Sequence, residues 1–221
     1  MQYLKPRRSI LKEISAKDDQ DISLDVYRSD NFFLREFFWL RLWFVVRLIR
    51  SSNSGKKSCL DFCGGSGVLL PSLATRFEEV FFVDQHTNEA VQLVERMGLR
   101  NVTIHRSDIR SFDFGEQAFD AVVAADVLEH FLELDEPISK IHRWLRDDGT
   151  LFTSLPTENF WYRALRLVFG KEKPHDHYHT AAKVENYLKK MGFKKIAGMY
   201  HPLGIPCFPL FRISAWKKSR I

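Results

Sequence analysis

Short apolar segments alternate with helix-like segments between residues 58 and 155, and this alternation limits the fold more than any other sequence feature. The apolar segments are rich in the residues that two-side-buried strands prefer. We predict five strands here: Ser58–Cys63, Val80–Asp84, Val102–Arg106, Phe119–Ala124 and Thr150–Leu155. We predict three helices between them: Val68–Phe77, Thr87–Met97 and Glu136–Arg146. Strands that alternate with helices predict a Rossmann-like, doubly wound α/β sheet.

The segment after Pro156 continues the pattern in a different order. Residues 159–169 and 180–191 are predicted as helices, and Gly170–His179 as a polar loop. Two strands follow, Phe193–Tyr200 and Leu210–Trp216, joined by an apolar loop. We therefore expect a seven-stranded, mostly parallel sheet with an antiparallel C-terminal hairpin and helices on both faces.

Residues 1–57 differ from the rest of the chain. The first thirty residues are predicted to form a polar arm, and residues 32–50 an aromatic, aliphatic helix. Four charges interrupt that helix, and each costs roughly 2.5–3.5 kcal/mol inside a bilayer, which disfavours spanning. We predict an amphipathic helix, with Arg41 lying off the charged side formed by Arg35, Glu36 and Arg47. Residues 1–57 are expected to cover the site of a catalytic domain at residues 58–221.

The charge and cysteine content point to a cytoplasmic protein. The net charge of +5 and the pI of about 9.1 are mildly basic for 221 residues, so a nucleic-acid partner is not favoured. Three cysteines do not form a disulfide framework, and residues 1–21 have no apolar signal segment. Peripheral membrane contact through residues 32–50 is the alternative to a purely cytoplasmic location.

A glycine-rich turn follows the first strand, in the segment Asp61–Gly67. Small residues allow the backbone to turn tightly and to approach a ligand. The P-loop pattern is absent, and Leu70 occupies the third glycine position of a dinucleotide fingerprint. An ordinary βα turn is the alternative. Acidic residues at the ends of the next strands, Asp84, Asp108 and Asp126, favour a nucleoside-type ligand.

Four ordered segments, LDFCGGSG, FFVDQ, RSDIRSF and FDAVVAADVLEHF, resemble class I S-adenosylmethionine-dependent methyltransferases. The chain is most similar to the type 11/12 branch, with its quinone-biosynthesis and small-molecule enzymes. The resemblance implies that Gly65 and Gly67 line the methionine portion, that Asp84 binds the ribose, and that Asp108 holds the adenine. The full set of implied cofactor-binding residues is Asp61, Cys63, Gly65, Gly67, Asp84, Gln85, Asp108, Ile109 and Ala125. Cys63 stands where the family pattern has glycine.

Two residues after the fourth strand are candidate general bases. His130 is the first and Asp126 the second, because both are expected near the transferred methyl group; a packing role is the alternative for His130. The segment His175–His179 could bind a metal or supply a base. We predict a polar loop there and no metal site, because the spacing shows no further ligand. The resemblance suggests that this loop is a substrate-side lid.

The methyl acceptor is predicted to be a small molecule, hydrophobic or lipid-like, methylated at oxygen, nitrogen or carbon. Residues 32–50, 159–169 and 202–209 are apolar and aromatic, and they could surround such an acceptor. Compared with the family, the chain lacks the (D/N)PP(Y/F) and Pro-Cys motifs of nucleobase enzymes. Two alternatives stay open: an RNA or protein methyltransferase that uses the basic surface, and a cofactor-binding protein without catalysis.

Overall fold

The computed structural model describes residues 1–15, 23–162 and 177–219. Within these residues seven strands form one sheet in the order β3-β2-β1-β4-β5-β7-β6. Their bounds are β1 Ser58–Phe62, β2 Glu79–Asp84, β3 Val102–Arg106, β4 Phe119–Ala125, β5 Leu145–Pro156, β6 Phe193–His201 and β7 Phe211–Lys218. Strands β1 to β5 pair in parallel, and β7 pairs antiparallel with both β5 and β6. The predicted fold class is confirmed.

Seven α-helices and one 3₁₀ turn pack around the sheet in the described residues. Their bounds are α1 Arg8–Glu13, α2 Ser23–Arg28, α3 Phe32–Ser51, α4 Leu70–Ala74, α5 Asn88–Met97, the 3₁₀ turn Leu128–His130, α6 Asp135–Trp144 and α7 Ala181–Lys190. The predicted helix at 159–169 begins at residue 160, and its residues 163–169 lie outside the described part of the chain. The expected lid residues His175 and Asp176 also lie outside it.

Several element boundaries differ from the prediction, and the helix predicted at Val68–Phe77 is limited to Leu70–Ala74. The helix expected to end at Arg146 ends at Trp144, because Leu145 is extended, fully buried and paired with Phe119 in the sheet. Strand β5 therefore begins five residues before the predicted Thr150. A register shift between Phe119 and Ala121 accommodates this early start. Residues 147–149 are polar or glycine, a pattern typical of a helix end followed by a loop, and for this reason the strand was predicted to begin later.

The core consists of two apolar layers, one on each face of the sheet. Helices α3, α4 and α5 cover one face, with Phe82, Phe152 and Phe211 beneath them. Helices α6 and α7 cover the other face, where Trp144 and Trp216 are fully buried. Strand β1 is buried along its whole length because it is central in the sheet and covered on both sides. This rigid centre positions the turn that follows β1.

The N-terminal residues are not the polar arm that the sequence analysis expected. They contain α1 and α2, and Leu11, Ile14, Leu24 and Tyr27 are buried in this region. Leu24 and Tyr27 are three positions apart in α2, which places both side chains on one helix face, whereas Ile14 follows α1 in an extended conformation. The apolar signal was too short to stand out from the surrounding charges.

Helix α3 lies across the sheet near its C-terminal hairpin. The side chain of Asn31 caps its first turn by accepting a hydrogen bond from Leu34 N at 3.1 Å. His201 Nε2–H donates to Phe37 O at 3.0 Å and so ties the end of β6 to the helix. Burial, and to a smaller extent Arg41, lowers the pKa of His201 to about 3, so this link is made by a neutral imidazole. None of the described helices is long and apolar enough to cross a membrane.

Candidate active site

The turn after β1 has a backbone that few residues tolerate. Cys63, Gly65 and Gly67 have positive φ angles of 50°, 56° and 71°. A Cβ atom on Gly64 would lie 2.6 Å from Asp61 Oδ2, so only glycine fits between the turn and that carboxylate. The departure from the family pattern at Cys63 therefore puts a non-glycine residue in the left-handed region, which is a strained position.

Asp61 lies directly beneath this turn and is 1% exposed. Among the described residues, neither of its carboxylate oxygens has a hydrogen-bond donor. Burial, followed by repulsion from Asp84, raises the pKa of Asp61 to about 7. A buried carboxylate of this kind calls for a charged or strongly donating partner. The α-ammonium group of a bound amino acid moiety fits that requirement, and the glycine turn leaves room for its approach.

Asp84 stands at the end of β2 and holds the turn in place. Its Oδ2 accepts a hydrogen bond from Gly65 N at 2.9 Å, and its Oδ1 accepts one from His86 N at 2.9 Å. Because the side chain is only partly buried, a ribose could still reach it. Asp84 thus links the predicted ribose position to the geometry of the glycine turn.

The predicted adenine residues follow β3. Asp108 forms an ion pair with Arg110 at 2.6 Å, and hydrogen bonds from Arg110 hold the pKa of Asp108 below its usual range. Ile109 is buried, at 5% exposure. Gln85 is exposed, and its carbonyl accepts from Arg106 Nε at 3.3 Å. The Asp108 carboxylate would have to exchange Arg110 for a ligand amino group.

A cavity of about 130 Å³ lies above the turn. It brings together five of the predicted site residues, which are Asp61, Cys63, Gly65, Ala125 and Asp126. The remaining predicted residues do not line it, and these are Gly67, Asp84, Gln85, Asp108, Ile109 and His130. Pockets for drug-sized ligands usually measure roughly 300–1,000 Å³. The cavity is therefore too small for a complete nucleoside ligand unless the residues above it move.

Tyr27, Arg41 and Leu42 form the N-terminal side of this cavity. Arg41 is 7% exposed, its Nη1 pairs with Asp126 Oδ2, and its Nη2 donates to the Tyr27 hydroxyl at 2.6 Å. Its guanidinium carbon lies 5.1 Å from the ring centroid of Phe211 and 5.5 Å from that of Phe38. A buried guanidinium in this setting is held by charge, a hydrogen bond and two aromatic faces.

The two candidate bases, Asp126 and His130, have different contacts in the structure. Asp126 has a positive φ of 54°, and its Oδ1 accepts from Ser154 Oγ at 2.9 Å. Arg41 Nη1 pairs with the other oxygen, Oδ2. His130 ends the 3₁₀ turn, and its ring centroid lies 4.7 Å from that of His177. The catalytic roles of both residues remain predictions.

The sequence analysis did not identify Tyr27 or Arg41 as site residues. Arg41 carried one usable signal, since it lies off the charged side of the predicted helix. A single charge on an apolar helix face has to find a buried partner, and Asp126 is that partner. Tyr27 offered no comparable signal, because it lies in a segment that was predicted to be a polar arm.

Residues 34–197 match a family model described as "methyltransferase domain". Two plant enzymes are similar in sequence. "(S)-coclaurine N-methyltransferase" of Papaver somniferum is 29% identical over 108 residues, which cover 47% of this chain and 30% of that enzyme. "Probable (S)-tetrahydroprotoberberine N-methyltransferase 2" of Papaver bracteatum is 24% identical over 124 residues, covering 52% and 34%. The chain thus spans about a third of the length of these relatives.

Solved structures share the fold. N-methyltransferase NodS from Bradyrhizobium japonicum WM9, in complex with S-adenosyl-L-homocysteine, has a TM-score of 0.65 and 18% identity, covering 96% of this chain and 98% of that one. A 1,6-didemethyltoxoflavin-N1-methyltransferase from Burkholderia thailandensis has a TM-score of 0.63 and 18% identity, covering 81% and 79%. At these identities the likeness is one of fold.

Proposed function

Since this chain belongs to the methyltransferase-domain family of S-adenosylmethionine-dependent enzymes, we propose that it methylates a small molecule with a hydrophobic part. The observation that carries this proposal is a series of aromatic side chains from the cavity to the surface, in two contacting groups joined by the chain neighbours Trp161 and Tyr162. The two plant relatives, whose names describe N-methyltransferases of small molecules, are consistent with an acceptor of this class.

The aromatic series begins at Arg41, whose guanidinium lies over Phe211. Phe211 contacts Tyr162 with ring centroids 5.2 Å apart. Beyond it, Trp161 contacts Phe208 at 4.9 Å, and Trp161 is 47% exposed. Exposed neighbours on the same segments are Phe160, Leu203 and Ile205, at 73%, 61% and 56%. Exposed apolar side chains grouped on neighbouring segments are typical of binding surfaces.

We propose nitrogen as the acceptor atom to test first. Both plant relatives carry N-methyltransferase in their names, and so do the two solved structures described above. Oxygen and carbon acceptors are the alternatives that the same assay distinguishes.

The protein would contribute mainly binding and orientation, because the sulfonium of the donor already activates the methyl group. Asp61 would hold the amino group of the donor, and the aromatic series would exclude water from the acceptor. The acceptor lone pair attacks the methyl carbon while the electron pair of the carbon–sulfur bond passes to sulfur. His130 is the residue we assign to accept the acceptor's proton, because Asp126 is already held by Arg41 and Ser154.

The test is a transfer assay with methyl-labelled donor. Purified protein is incubated with three separate fractions of a cell extract: organic-soluble small molecules, RNA and protein. We expect labelled product in the organic-soluble fraction, heavier by one methylene in mass spectrometry. Label in RNA or protein would contradict the proposed acceptor class. Donor binding by calorimetry without label in any fraction would indicate a cofactor-binding protein without catalysis.

A further inference from the structure

Four side chains with metal-ligating atoms lie together beside the end of β4. Glu129 and His130 belong to the 3₁₀ turn, His177 precedes α7, and Glu158 follows β5. One ligand atom from each of Glu129, His130 and His177 lies within 4.8 Å of the other two. Nδ1 of His177 lies 2.8 Å from Glu158 Oε1. None of these four residues lines the cavity above the glycine turn.

The cluster is buried and its backbone is held in place. Glu129 is 1% exposed, and the side chains of His177 and Glu158 are each 8% exposed. Tyr178 N donates to Glu129 O at 2.9 Å, which fastens the His177 segment to the 3₁₀ turn. The imidazole planes of His130 and His177 are 84° apart. The ligand atoms therefore converge from two chain segments that are hydrogen-bonded to each other.

The contact of His177 Nδ1 with Glu158 leaves Nε2 of His177 as the ring nitrogen that could bind a metal ion. When a carboxylate accepts the Nδ1 proton of a histidine, Nε2 is left as the ligating atom, and this arrangement is frequent around metal-bound histidines. Two imidazoles and one carboxylate form a donor set that suits zinc and other divalent first-row metals, with coordination positions left open. We propose that Glu129, His130 and His177 bind a divalent transition-metal ion, with Glu158 orienting His177.

The two carboxylates of the cluster attract a cation, and neutral imidazoles, which are the form that ligates metal, do not repel it. A hydrogen-bonded His177–Glu158 pair without metal is the competing account, and it predicts no metal affinity above that of other histidines on the chain.

The sequence analysis predicted no metal site because the His175–His179 segment showed no further ligand. The structure brings Glu129 and His130 to His177 from a segment almost fifty residues earlier, a proximity that spacing does not reveal. A ring nitrogen of His130 that ligates the ion cannot also accept a proton, so the metal-loaded protein would have to release the acceptor's proton to water. This consequence for the acceptor rests on the proposed function, whereas metal binding itself does not.

Titration of the purified full-length chain with Zn²⁺ tests the proposal, after treatment with EDTA and dialysis. Affinity is measured by competition with a chromophoric chelator, and Co²⁺ replaces Zn²⁺ for a visible absorption spectrum. We expect one equivalent of tight binding in the wild type. His177→Ala and Glu129→Gln should each weaken it by more than about 100-fold, and Glu158→Gln by about 10–100-fold as expected of a positioning residue.

The matched control is His179→Ala, from the same segment. His179 Nε2 contacts Leu132 O at 3.2 Å and is not part of the cluster, so its replacement should leave Zn²⁺ affinity unchanged. Circular dichroism checks each variant, and His177→Gln replaces His177→Ala if the latter is misfolded. A wild type that binds Zn²⁺ no better than the His177 variant overturns the metal site. Normal donor binding in that same preparation would leave the proposed function intact.

Discussion

The buried carboxyl group of Asp61 lowers the stability of the folded, ligand-free protein. In the folded chain its pKa is about 7, against an ordinary value of 3.8. Between these two pH values the unfolded chain ionises this group while the folded chain keeps it protonated. The free energy of unfolding therefore falls as pH rises from about 4 to about 7, and the penalty is complete above that range.

Asp61→Asn should separate stability from binding. Without the buried charge we expect the free energy of unfolding at pH 8 to rise by about 1–3 kcal/mol, with little change at pH 4. Donor binding should be lost, because no carboxylate remains for the donor's amino group. Urea unfolding at both pH values and calorimetry measure the two effects. Asp108→Asn is the control for stability alone, because its carboxylate is half-buried and already paired with Arg110. An equal rise in the free energy of unfolding of the two variants at pH 8 would contradict this account.

Asp84→Ala addresses the predicted ribose position. The variant loses the acceptor for two ribose hydroxyls and also the hydrogen bond that Gly65 N donates. We expect donor affinity to fall by about 10–100-fold, since each such hydrogen bond contributes about 0.5–1.5 kcal/mol. Calorimetry with the donor measures this. An unchanged dissociation constant would show that the site assignment at Asp84 is wrong.

Single site residues that belong to a short sequence motif could be predicted. Residues whose role depends on a partner far away in the chain could not. Asp61 and Asp84 could be identified because each ends a strand beside the glycine turn. Arg41 and Glu158 could not, because their partners lie 85 and 19 residues away in the chain. A contact over such a separation is set by helix and loop packing, which no short motif records.

Among the elements, the C-terminal hairpin depends on a single buried carboxylate in α7. Glu185 accepts from Lys195 Nζ at 2.7 Å, from Arg212 Nη1 at 3.0 Å and from Ser214 Oγ at 3.0 Å. Burial by itself would raise the pKa of Glu185, but these three contacts outweigh it and hold the pKa below its usual value. The carboxylate thus joins α7 to β6 and β7.

Glu185→Gln should loosen this junction. We expect the free energy of unfolding to fall by about 2–3 kcal/mol at pH 7, because charge-assisted hydrogen bonds are lost. A depressed pKa stabilises the fold above the ordinary pKa of glutamate, so the difference from wild type should shrink as pH falls below about 4. Thermal unfolding across pH measures it. Glu95→Gln, on an exposed position of α5, is the control; a similar loss there would contradict a specific role for Glu185.

A helix or strand could be predicted when its residues are clearly more hydrophobic than the chain segments on either side. The central strands are continuous apolar runs and were placed to within a residue or two. Among the described residues, α1 has one buried apolar residue and α2 has two, which are too few to be recognised among charges. The start of β5 was missed because Arg146, Asp147 and Asp148 are polar, although Leu145 pairs in the sheet.

On the scale of the whole molecule, exposed apolar residues are concentrated on the N-terminal and C-terminal segments. Phe32 and Phe33, at the start of α3, are 59% and 79% exposed. The loop that carries Leu203 and Ile205 reaches the same helix, since a Cβ on Gly204 would lie 3.7 Å from Phe44. From this arrangement we propose peripheral membrane contact through residues 32–50, made mainly by the exposed aromatic side chains.

Vesicle flotation tests this proposal. We expect the wild type to float with vesicles that contain anionic lipid, and the double variant Phe32→Ser/Phe33→Ser to remain at the bottom, because it loses the exposed aromatic side chains. Ile196→Ser, at a 48% exposed position on β6, is the control and should float as the wild type does. Wild-type protein that stays at the bottom with every vesicle composition would show that residues 32–50 make no membrane contact.

The strand order has a consequence for synthesis in the cell. Strand β7 lies between β5 and β6, although both of those strands precede it in the chain. The edge of β5 therefore stays unpaired on the ribosome until residues 211–218 have emerged. An unpaired, apolar strand edge is a template for aggregation. Nascent chains that stall before residue 211 should need chaperone protection, and the sheet can close only after the last of its strands has been translated.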